Sequence, residues 1–194
     1  MLAFVRVYLS GPMGAGKSTV ADAVAAALGT RAIDLDAEVE RLAGRTVPEI
    51  FGERGEAAFR ALEKQALAAL PDDAGVVALG GGAIVADDTR QRLLHEGIVV
   101  TLTADPSVLA ARVSGRGGRP LLGEDPEADL EHIIRARAAA YAEAHAVIDT
   151  GELDVPEVVA QVVATRNLAP IVVPLGLRTY RVEVGRGARR RVGD

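Results

Sequence analysis

Short apolar runs alternate with longer amphipathic or alanine-rich stretches along most of this 194-residue chain. The apolar runs predict strands at residues 4–9, 31–35, 75–79, 98–102 and 147–149, and those near 76–79 and 98–100 lack polar alternation, as strands covered on both faces do. Helices are predicted at residues 18–28, 56–70, 87–96, 106–113, 126–145 and 156–166. Gly29 and Pro71 end the first two helices, and Asp87 is the predicted N-cap of the third. The alternation indicates an α/β fold with helices on both faces of a parallel sheet.

Two stretches depart from this alternation. Residues 114–125 are rich in glycine and arginine, among them Arg119, and are predicted to form a mobile cationic loop, which is either a lid that closes over a phosphorylated ligand or a solvated linker. From residue 169 onward two prolines interrupt the pattern, and residues 179–184 alternate like a half-exposed strand. We therefore predict a core domain at residues 1–168 and a C-terminal extension at residues 169–194.

Composition narrows the classes of protein that fit this pattern. Hydrophobic residues make up 49% of the chain and charged residues 25%, an ordinary balance for a soluble globular domain. The lack of cysteine excludes disulfides, thiolate metal sites and cysteine nucleophiles, and the three scattered histidines suggest no zinc cluster. A net charge of −5 disfavours nucleic-acid binding. Neither a membrane-spanning apolar run nor a signal peptide is recognised, so we expect a cytoplasmic protein without membrane partners.

The segment GPMGAGKS at residues 11–18 satisfies the G-x-x-x-x-G-K-[ST] phosphate-loop pattern between a predicted strand and a predicted helix. Chance would give only about 0.002 such matches in this chain, because lysine is so rare in it. Glycines let backbone N–H groups curl around phosphate oxygens, and the helix N-terminus adds partial positive charge. Lys17 would reach the β- and γ-phosphates, and the Ser18 hydroxyl would ligate Mg²⁺. The pattern predicts a nucleotide phosphate site.

Asp34 and Asp36 supply carboxylates at the end of the second predicted strand. Residues i and i+2 of a strand face the same way, so both carboxylates are expected to project together. Asp34 would hold the water shell of a metal, and Asp36 would accept a hydroxyl proton from an acceptor substrate. The alternative is that Asp36 serves only as a helix N-cap.

An acceptor site is suggested by three further features. Gly80-Gly81-Gly82 follows a strand and would allow close approach of a ligand to the backbone. Arg60 and Glu63 are three residues apart on one predicted helix, so Glu63 can orient the guanidinium. Arg137 lies on a later helix, four residues before Tyr141. Two such arginines can grip one carboxylate, although with 20 arginines in the chain either one also fits an ordinary surface position.

Taken together, these pieces resemble the shikimate kinase family over residues 3–166. The matching segments are GPMGAGKST (11–19), DLD (34–36), IFGERGEAAFRALE (50–63), LGGGAIV (79–85), RPLL (119–122) and RARAAAY (135–141). The resemblance implies a P-loop, nucleoside-monophosphate-kinase-like three-layer fold with a five-stranded parallel sheet and a mobile lid. It also implies Mg²⁺-dependent transfer of the ATP γ-phosphoryl group to the 3-hydroxyl of shikimate, in aromatic amino-acid biosynthesis.

The resemblance further implies roles for individual residues. Catalysis is expected of Lys17, Asp36 and Arg119, and Mg²⁺ binding of Ser18 and Asp34. ATP binding is expected of Gly14, Ala15, Gly16, Lys17, Ser18, Thr19, Arg112 and Arg119, with Arg112 against the adenine. Shikimate binding is expected of Asp34, Asp36, Arg60, Gly81, Gly82 and Arg137. Phe51 and Phe59 would form an apolar wall and Glu63 would orient Arg60, whereas residues 150–154 depart from the basic loop of the family and leave the adenine contacts there open.

Two other functions and a second resemblance stay open at this point. A kinase of another small acceptor, such as gluconate or a nucleoside monophosphate, would share the phosphate loop, and a regulatory module could bind ATP without transferring a phosphoryl group. Residues 173–185 resemble the opening strand of 3-dehydroquinate synthase, and such kinases occur fused ahead of that enzyme. The chain is therefore expected to be a monomeric kinase domain, with either the start of a fused synthase or an unrelated extension behind it.

Overall fold

The computed structural model describes residues 5–114 and 125–183. Its centre is a five-stranded, all-parallel sheet in the order β2-β3-β1-β4-β5. The strands are β1 Arg6–Ser10, β2 Arg31–Asp34, β3 Ala74–Ala78, β4 Gly97–Thr103 and β5 Ala146–Asp149. All five predicted strands are therefore present, and the α/β class that the alternation indicates is confirmed.

Helices connect these strands and cover both faces of the sheet. Within the described ranges they are α1 Lys17–Leu28, α2 Leu35–Ala43, α3 Val47–Ala68, α4 Asp87–Glu96, α5 Pro106–Val113, α6 Pro126–Ala142 and α7 Val155–Leu168. Gly29 ends α1 in the left-handed conformation that its lack of a side chain permits, as predicted.

Alternation of side chains along each strand divides the core into two layers. Val7 and Leu9 point to one side of the sheet and belong to a cluster that includes α1, α5 and α7. Tyr8, between them, points to the other side and packs with α2, α3 and α4. All three side chains are at most 1% exposed, so the central strand is buried on both faces. Its carboxyl end therefore carries the loop of residues 11–16 on a rigid support.

The pattern of apolar residues misses most of the chain between Leu35 and Gly55. Helix α2 occupies its first part, and α3 begins at Val47 instead of residue 56. A capping box formed by Thr46 and Glu49 starts α3, and Gly55, at φ 75°, kinks it. The helix predicted from residue 56 is therefore only the part of α3 that follows this kink.

Two helix boundaries also differ from the prediction. Ala86, not Asp87, is the N-cap of α4, and the Asp87 carboxylate pairs with Arg90 one turn later. Helix α6 ends at Ala142, because the His145 backbone N–H already donates to the Val99 carbonyl of the sheet.

The C-terminal extension forms a small antiparallel hairpin of β6 Ile171–Val173 and β7 Tyr180–Val182. The strand predicted at residues 179–184 is β7, with its last residue outside the described part, and β6 was not predicted. The hairpin does not extend the main sheet. Across residues 5–114 and 125–183, no helix has the length and apolar character needed to cross a membrane.

Candidate active site

The loop between β1 and α1 has the geometry that the phosphate-loop pattern predicts. Gly14 adopts φ 83°, and a Cβ atom there would lie 2.8 Å from the Leu109 carbonyl oxygen. The turn therefore requires glycine at this position. Gly16 is the N-cap of α1 and offers no side-chain cap, so the first amides of the helix point out of its positive end. The Lys17 ammonium donates to the Gly11 and Pro12 carbonyls, at 2.9 Å each, and is held over the loop.

Asp34 joins this loop to α2. Its Oδ2 accepts a 2.6 Å hydrogen bond from the Ser18 hydroxyl, while its Oδ1 accepts from the backbone N–H groups of Asp36 and Ala37. Asp34 is thus the N-cap of α2, and the alternative that Asp36 is the N-cap is wrong. The expectation of two carboxylates side by side on one strand is also wrong, because capping by Asp34 turns the chain into a helix before Asp36.

Asp36 nevertheless faces the same cavity as Asp34. Its Oδ1 is buried without a hydrogen-bond partner and lies 2.7 Å from where a Cβ atom of Gly80 would be. Burial raises the pKa of the carboxyl group, and the nearby Asp34 charge adds to the effect, whereas Lys17 and Arg60 oppose it. A carboxylate with a raised proton affinity is suited to accept a proton near neutral pH.

Arg60 lies on α3 and is held by two carboxylates. One guanidinium nitrogen donates to Glu63 at 2.8 Å, and the other side of the fork contacts the more exposed Glu56 at 3.0 Å. Glu63 is only 3% exposed, and burial raises the pKa of its carboxyl group against the opposing effect of Arg60. The contact between Arg60 and Glu63 that the spacing predicts is therefore present. The guanidinium also lies 5.2 Å from the ring centre of Phe59.

The glycine turn after β3 connects Arg60 on α3 with α6. The Arg137 guanidinium and the Tyr141 hydroxyl both donate to the Gly81 carbonyl, at 2.9 and 2.7 Å. A Cβ atom on Gly82 would lie 2.1 Å from an Arg60 nitrogen, so a side chain there would displace Arg60. The turn thus lets both arginines approach one point from two helices.

One open cavity of about 720 Å³ brings these residues together. The predicted site residues that line it are Gly14, Gly16, Lys17, Ser18, Thr19, Asp34, Asp36, Arg60, Gly81, Gly82, Arg112 and Arg137. Ala15 does not line it and is 1% exposed, and Arg119 lies outside the described residues. Phe51 and Phe59 form part of its wall, with ring centres 4.8 Å apart.

Comparison with known sequences identifies the family of this chain. The family model of shikimate kinases matches residues 13–167. The chain belongs to the shikimate kinase family. A shikimate kinase from Caulobacter vibrioides is 45% identical over 156 residues, covering 79% of this chain and 77% of its own. One from Geobacter sulfurreducens is 45% identical over 160 residues, covering 81% and 88%.

Solved structures agree with this family. The structure of a shikimate kinase from Acinetobacter baumannii in complex with shikimate has a TM-score of 0.78 and 37% identity, covering 83% of this chain and 92% of its own. A gluconokinase from Sinorhizobium meliloti, at 22% identity and a TM-score of 0.56, shares the fold alone. A shikimate kinase is an ATP-dependent kinase, so ATP is a co-substrate, and the regulatory module and the kinases of other small acceptors are wrong alternatives.

Sequence reasoning missed several residues of the shikimate kinase cavity. Glu40, Val47 and Pro48 line it from α2 and the start of α3. The Thr46–Glu49 capping box, with a proline between its two members, was the signal that would have located that helix. Ile133 of α6 and Met13 of the loop also line the cavity, without a distinguishing sequence signal.

Arg112 lines the cavity from α5. Its guanidinium donates to the Thr150 hydroxyl at 3.0 Å and to the Thr150 carbonyl at 2.7 Å. These contacts tie α5 to the loop after β5, where the sequence departs from the basic family pattern. Arg112 is thus fixed at the edge of the cavity by the backbone of that loop.

The donor set at Ser18 and Asp34 fits a magnesium ion. Hydroxyl and carboxylate oxygens are the ligands that Mg²⁺ accepts, and the ion commonly takes one or two protein ligands and completes its shell with water and phosphate oxygens. Residues 5–114 and 125–183 contain no group of three or more acidic or histidine side chains that could hold a metal by themselves.

Proposed function

We propose that the shikimate kinase reaction takes place in this cavity, with the ATP phosphates on the loop of residues 11–18 and shikimate between α2, α3, α6 and the glycine turn. The observation that carries the proposal is the Asp36 side chain, which lines the same cavity as Lys17 and Arg60 and has one buried oxygen without a hydrogen-bond partner. Phosphoryl transfer to an alcohol that carries a carboxylate requires a base between the phosphate-binding loop and the cation that binds the carboxylate.

At the phosphate end, the amides of residues 14–19 and the Lys17 ammonium bind the β- and γ-phosphates. Ser18 and Asp34 would hold Mg²⁺, which supplies positive charge to the phosphates when bound. Arg112 lies against the adenine. The resemblance also implies a catalytic role for Arg119, which lies outside the described residues.

At the acceptor end, Arg60 and Arg137 bind the carboxylate of shikimate. Arg60 is oriented by Glu63 and supported by Phe59, and Arg137 is oriented by its hydrogen bond to Gly81. A guanidinium whose geometry is fixed before binding loses little entropy when it grips a carboxylate. Gly81 and Gly82 form the floor on which the ring of the substrate lies.

The chemical step joins the two ends. The 3-oxygen of shikimate attacks the γ-phosphorus, the bond from that phosphorus to the β–γ bridging oxygen breaks, and ADP leaves with the electron pair. The hydroxyl proton passes to the Asp36 carboxylate, whose raised proton affinity suits it to this role. The loose transition state gains most from positioning and from the cations around the phosphoryl oxygens.

The test is the release of ADP with shikimate as the sole acceptor. Asp36→Asn should lower kcat at least about 100-fold at saturating substrates, because the amide cannot take the proton. Asp22→Asn, the same change at an exposed position of α1, is the matched control and should stay within about twofold of wild type. Near-normal turnover in folded Asp36→Asn would remove the proposed role of Asp36.

We further propose that residues 1–168 form a monomeric, cytoplasmic kinase domain and that residues 169–194 open a 3-dehydroquinate synthase domain. The likeness of residues 173–185 to the first strand of that synthase supports the fusion. Sequencing the full reading frame and assaying its product for both activities tests it. A frame that stops at Asp194 would contradict the fusion and leave the kinase assignment unaffected.

A further inference from the structure

We propose that the C-terminal hairpin, residues 171–182, is a positioning element for the acceptor end of the active site and acts through Glu143 and Arg90. The inference rests on the proposed location of shikimate beside the glycine turn. It goes beyond the family, because the shikimate kinase model matches only residues 13–167 and the hairpin follows it.

The hairpin contacts the end of α6. Glu143 is the C-cap residue of this helix, and its Oε1 accepts a 2.7 Å hydrogen bond from the Gly176 backbone N–H. The Arg181 guanidinium donates to the Ala144 carbonyl at 2.7 Å and to the Ala142 carbonyl at 3.2 Å. A cation at a helix C-terminus satisfies carbonyls that lack intrahelical partners and complements the helix dipole. The hairpin thus fixes the last turn of α6.

Glu143 also pairs with Arg90, which binds the loop after β3. Its Oε2 accepts from Arg90 Nε at 2.5 Å, and the two side chains are only 9% and 11% exposed. A second Arg90 nitrogen donates to the Ile84 carbonyl at 3.0 Å and to the Val85 carbonyl at 3.1 Å. A buried ion pair with every group engaged holds one geometry, because any displacement leaves a charge without a partner.

The carbonyls that Arg90 holds belong to the same turn as the proposed floor of the acceptor site. The turn is closed by backbone hydrogen bonds from Ala83 to Gly80 and from Val85 to Gly82. Helix α6 grips its other end through the bonds from Arg137 and Tyr141 to Gly81. The turn is therefore fixed to α6 at two points. The first is the Gly81 carbonyl, and the second is the ion pair of Arg90 with Glu143, whose other carboxylate oxygen accepts a hydrogen bond from the hairpin.

This arrangement predicts that weakening the hairpin contact loosens shikimate binding and leaves ATP binding unchanged. The phosphate loop lies between β1 and α1 and shares no hydrogen bond with the hairpin among the described residues. Arg181→Ala in the full chain should raise the KM for shikimate about fivefold, because it removes the two hydrogen bonds that fix the end of α6, while the KM for ATP stays within about twofold. Thr179→Val should act in the same direction, since the Thr179 hydroxyl bonds Leu175 N and Gly176 O and shapes the turn that presents Gly176.

Arg178→Ala is the matched control. It removes the same kind of side chain from the same hairpin, at an exposed position, and should leave both KM values unchanged. Arg60→Lys, measured in parallel, separates the two proposals. If Arg60→Lys also leaves the shikimate KM unchanged, the proposed acceptor site is wrong.

If Arg60→Lys raises the shikimate KM while Arg181→Ala and Thr179→Val do not, the positioning role of the hairpin is wrong and the acceptor site stands. Equal rises in both KM values, or a lower Tm with unchanged KM values, would likewise overturn the positioning role, because they would indicate general structural support. A selective rise in the shikimate KM for either hairpin variant, with Arg178→Ala unchanged, supports it.

Discussion

Replacing Gly82 with alanine tests the acceptor site by moving one side chain without deleting any functional group. A Cβ atom built on Gly82 lies 2.1 Å from an Arg60 nitrogen, 2.6 Å from its guanidinium carbon and 2.8 Å from its other terminal nitrogen. Ordinary contacts begin near 3.4 Å, so the guanidinium must withdraw by about 1 Å. The turn cannot yield easily in its place, because α6 and Arg90 both hold it.

The size of the effect follows from what Arg60 gives up when it moves. Its bond to the buried Glu63 is 2.8 Å long, and withdrawal must stretch that bond or tilt the guanidinium out of the cavity. A misplacement of about 1 Å at a substrate-orienting group can cost up to about 100-fold in rate. Because Arg60 is proposed to bind the carboxylate and not the nucleotide, we expect the KM for shikimate to rise at least about tenfold while the KM for ATP stays within about twofold.

Gly52→Ala is the matched control for this experiment. Gly52 lies in α3, a Cβ atom added to it would meet no atom within 4 Å, and its φ is not positive. The change should stabilise the protein by about 0.5–1 kcal/mol, because alanine loses less conformational entropy in a helix, and should leave both KM values unchanged. Steady-state ADP release with each substrate varied in turn measures both constants. A wild-type shikimate KM in folded Gly82→Ala would refute the assignment of Arg60 to the carboxylate.

Three further predictions concern charge. Lys17→Ala should lower kcat at least about 100-fold with an unchanged circular dichroism spectrum, since it removes the cation of the phosphate loop. Burial raises the pKa of Asp36, so the carboxylate takes up a proton at a pH above the ordinary aspartate range. Asp36→Asn resembles the protonated form and should have a higher Tm than the wild type at pH 7. This difference in Tm should close as the pH falls and the wild-type carboxylate becomes protonated. Burial, together with the nearby charge of Arg181, lowers the pKa of His145 to about 4. Stability from the neutral imidazole is therefore present above pH 6.5 and lost towards pH 4, by up to about 3 kcal/mol in denaturant unfolding, and His145→Gln should flatten that loss.

The sequence predicts those parts of the site whose chemistry depends on local spacing. The phosphate loop needs glycines, a lysine and a hydroxyl in a fixed order, so the residues at 11–18 indicate it directly. The pairing of Arg60 with Glu63 follows equally from helical spacing. The strands were predictable because a sheet covered on both faces needs continuous apolar runs, and residues 76–79 and 98–100 supply them.

Other parts depend on tertiary contacts that no local pattern reports. Arg90 and Glu143 are typical surface residues in type, yet they are buried and joined across 53 positions of sequence. Only the fold brings α4 beside the end of α6, so their charges suggest an exposed face until the structure is known. The expectation that Asp34 and Asp36 share one strand is wrong for a related reason, because a side chain that caps the following helix can end a strand before the strand pattern itself ends.

Gly80 lies beside two buried carboxylate oxygens that lack hydrogen-bond partners, an arrangement that lowers the stability of the fold. A Cβ atom there would meet Asp36 Oδ1 at 2.7 Å and Glu63 Oε1 at 2.6 Å, the two buried side-chain oxygens of the described residues that lack a hydrogen-bond partner. Each such oxygen costs about 1–3 kcal/mol, and a donor that satisfied it would stabilise the charged form and lower the pKa. A fully bonded Asp36 would thus be a weaker base. On the proposed assignment, the Asp36 carboxylate therefore keeps its raised proton affinity until the acceptor hydroxyl binds beside it and passes its proton to it.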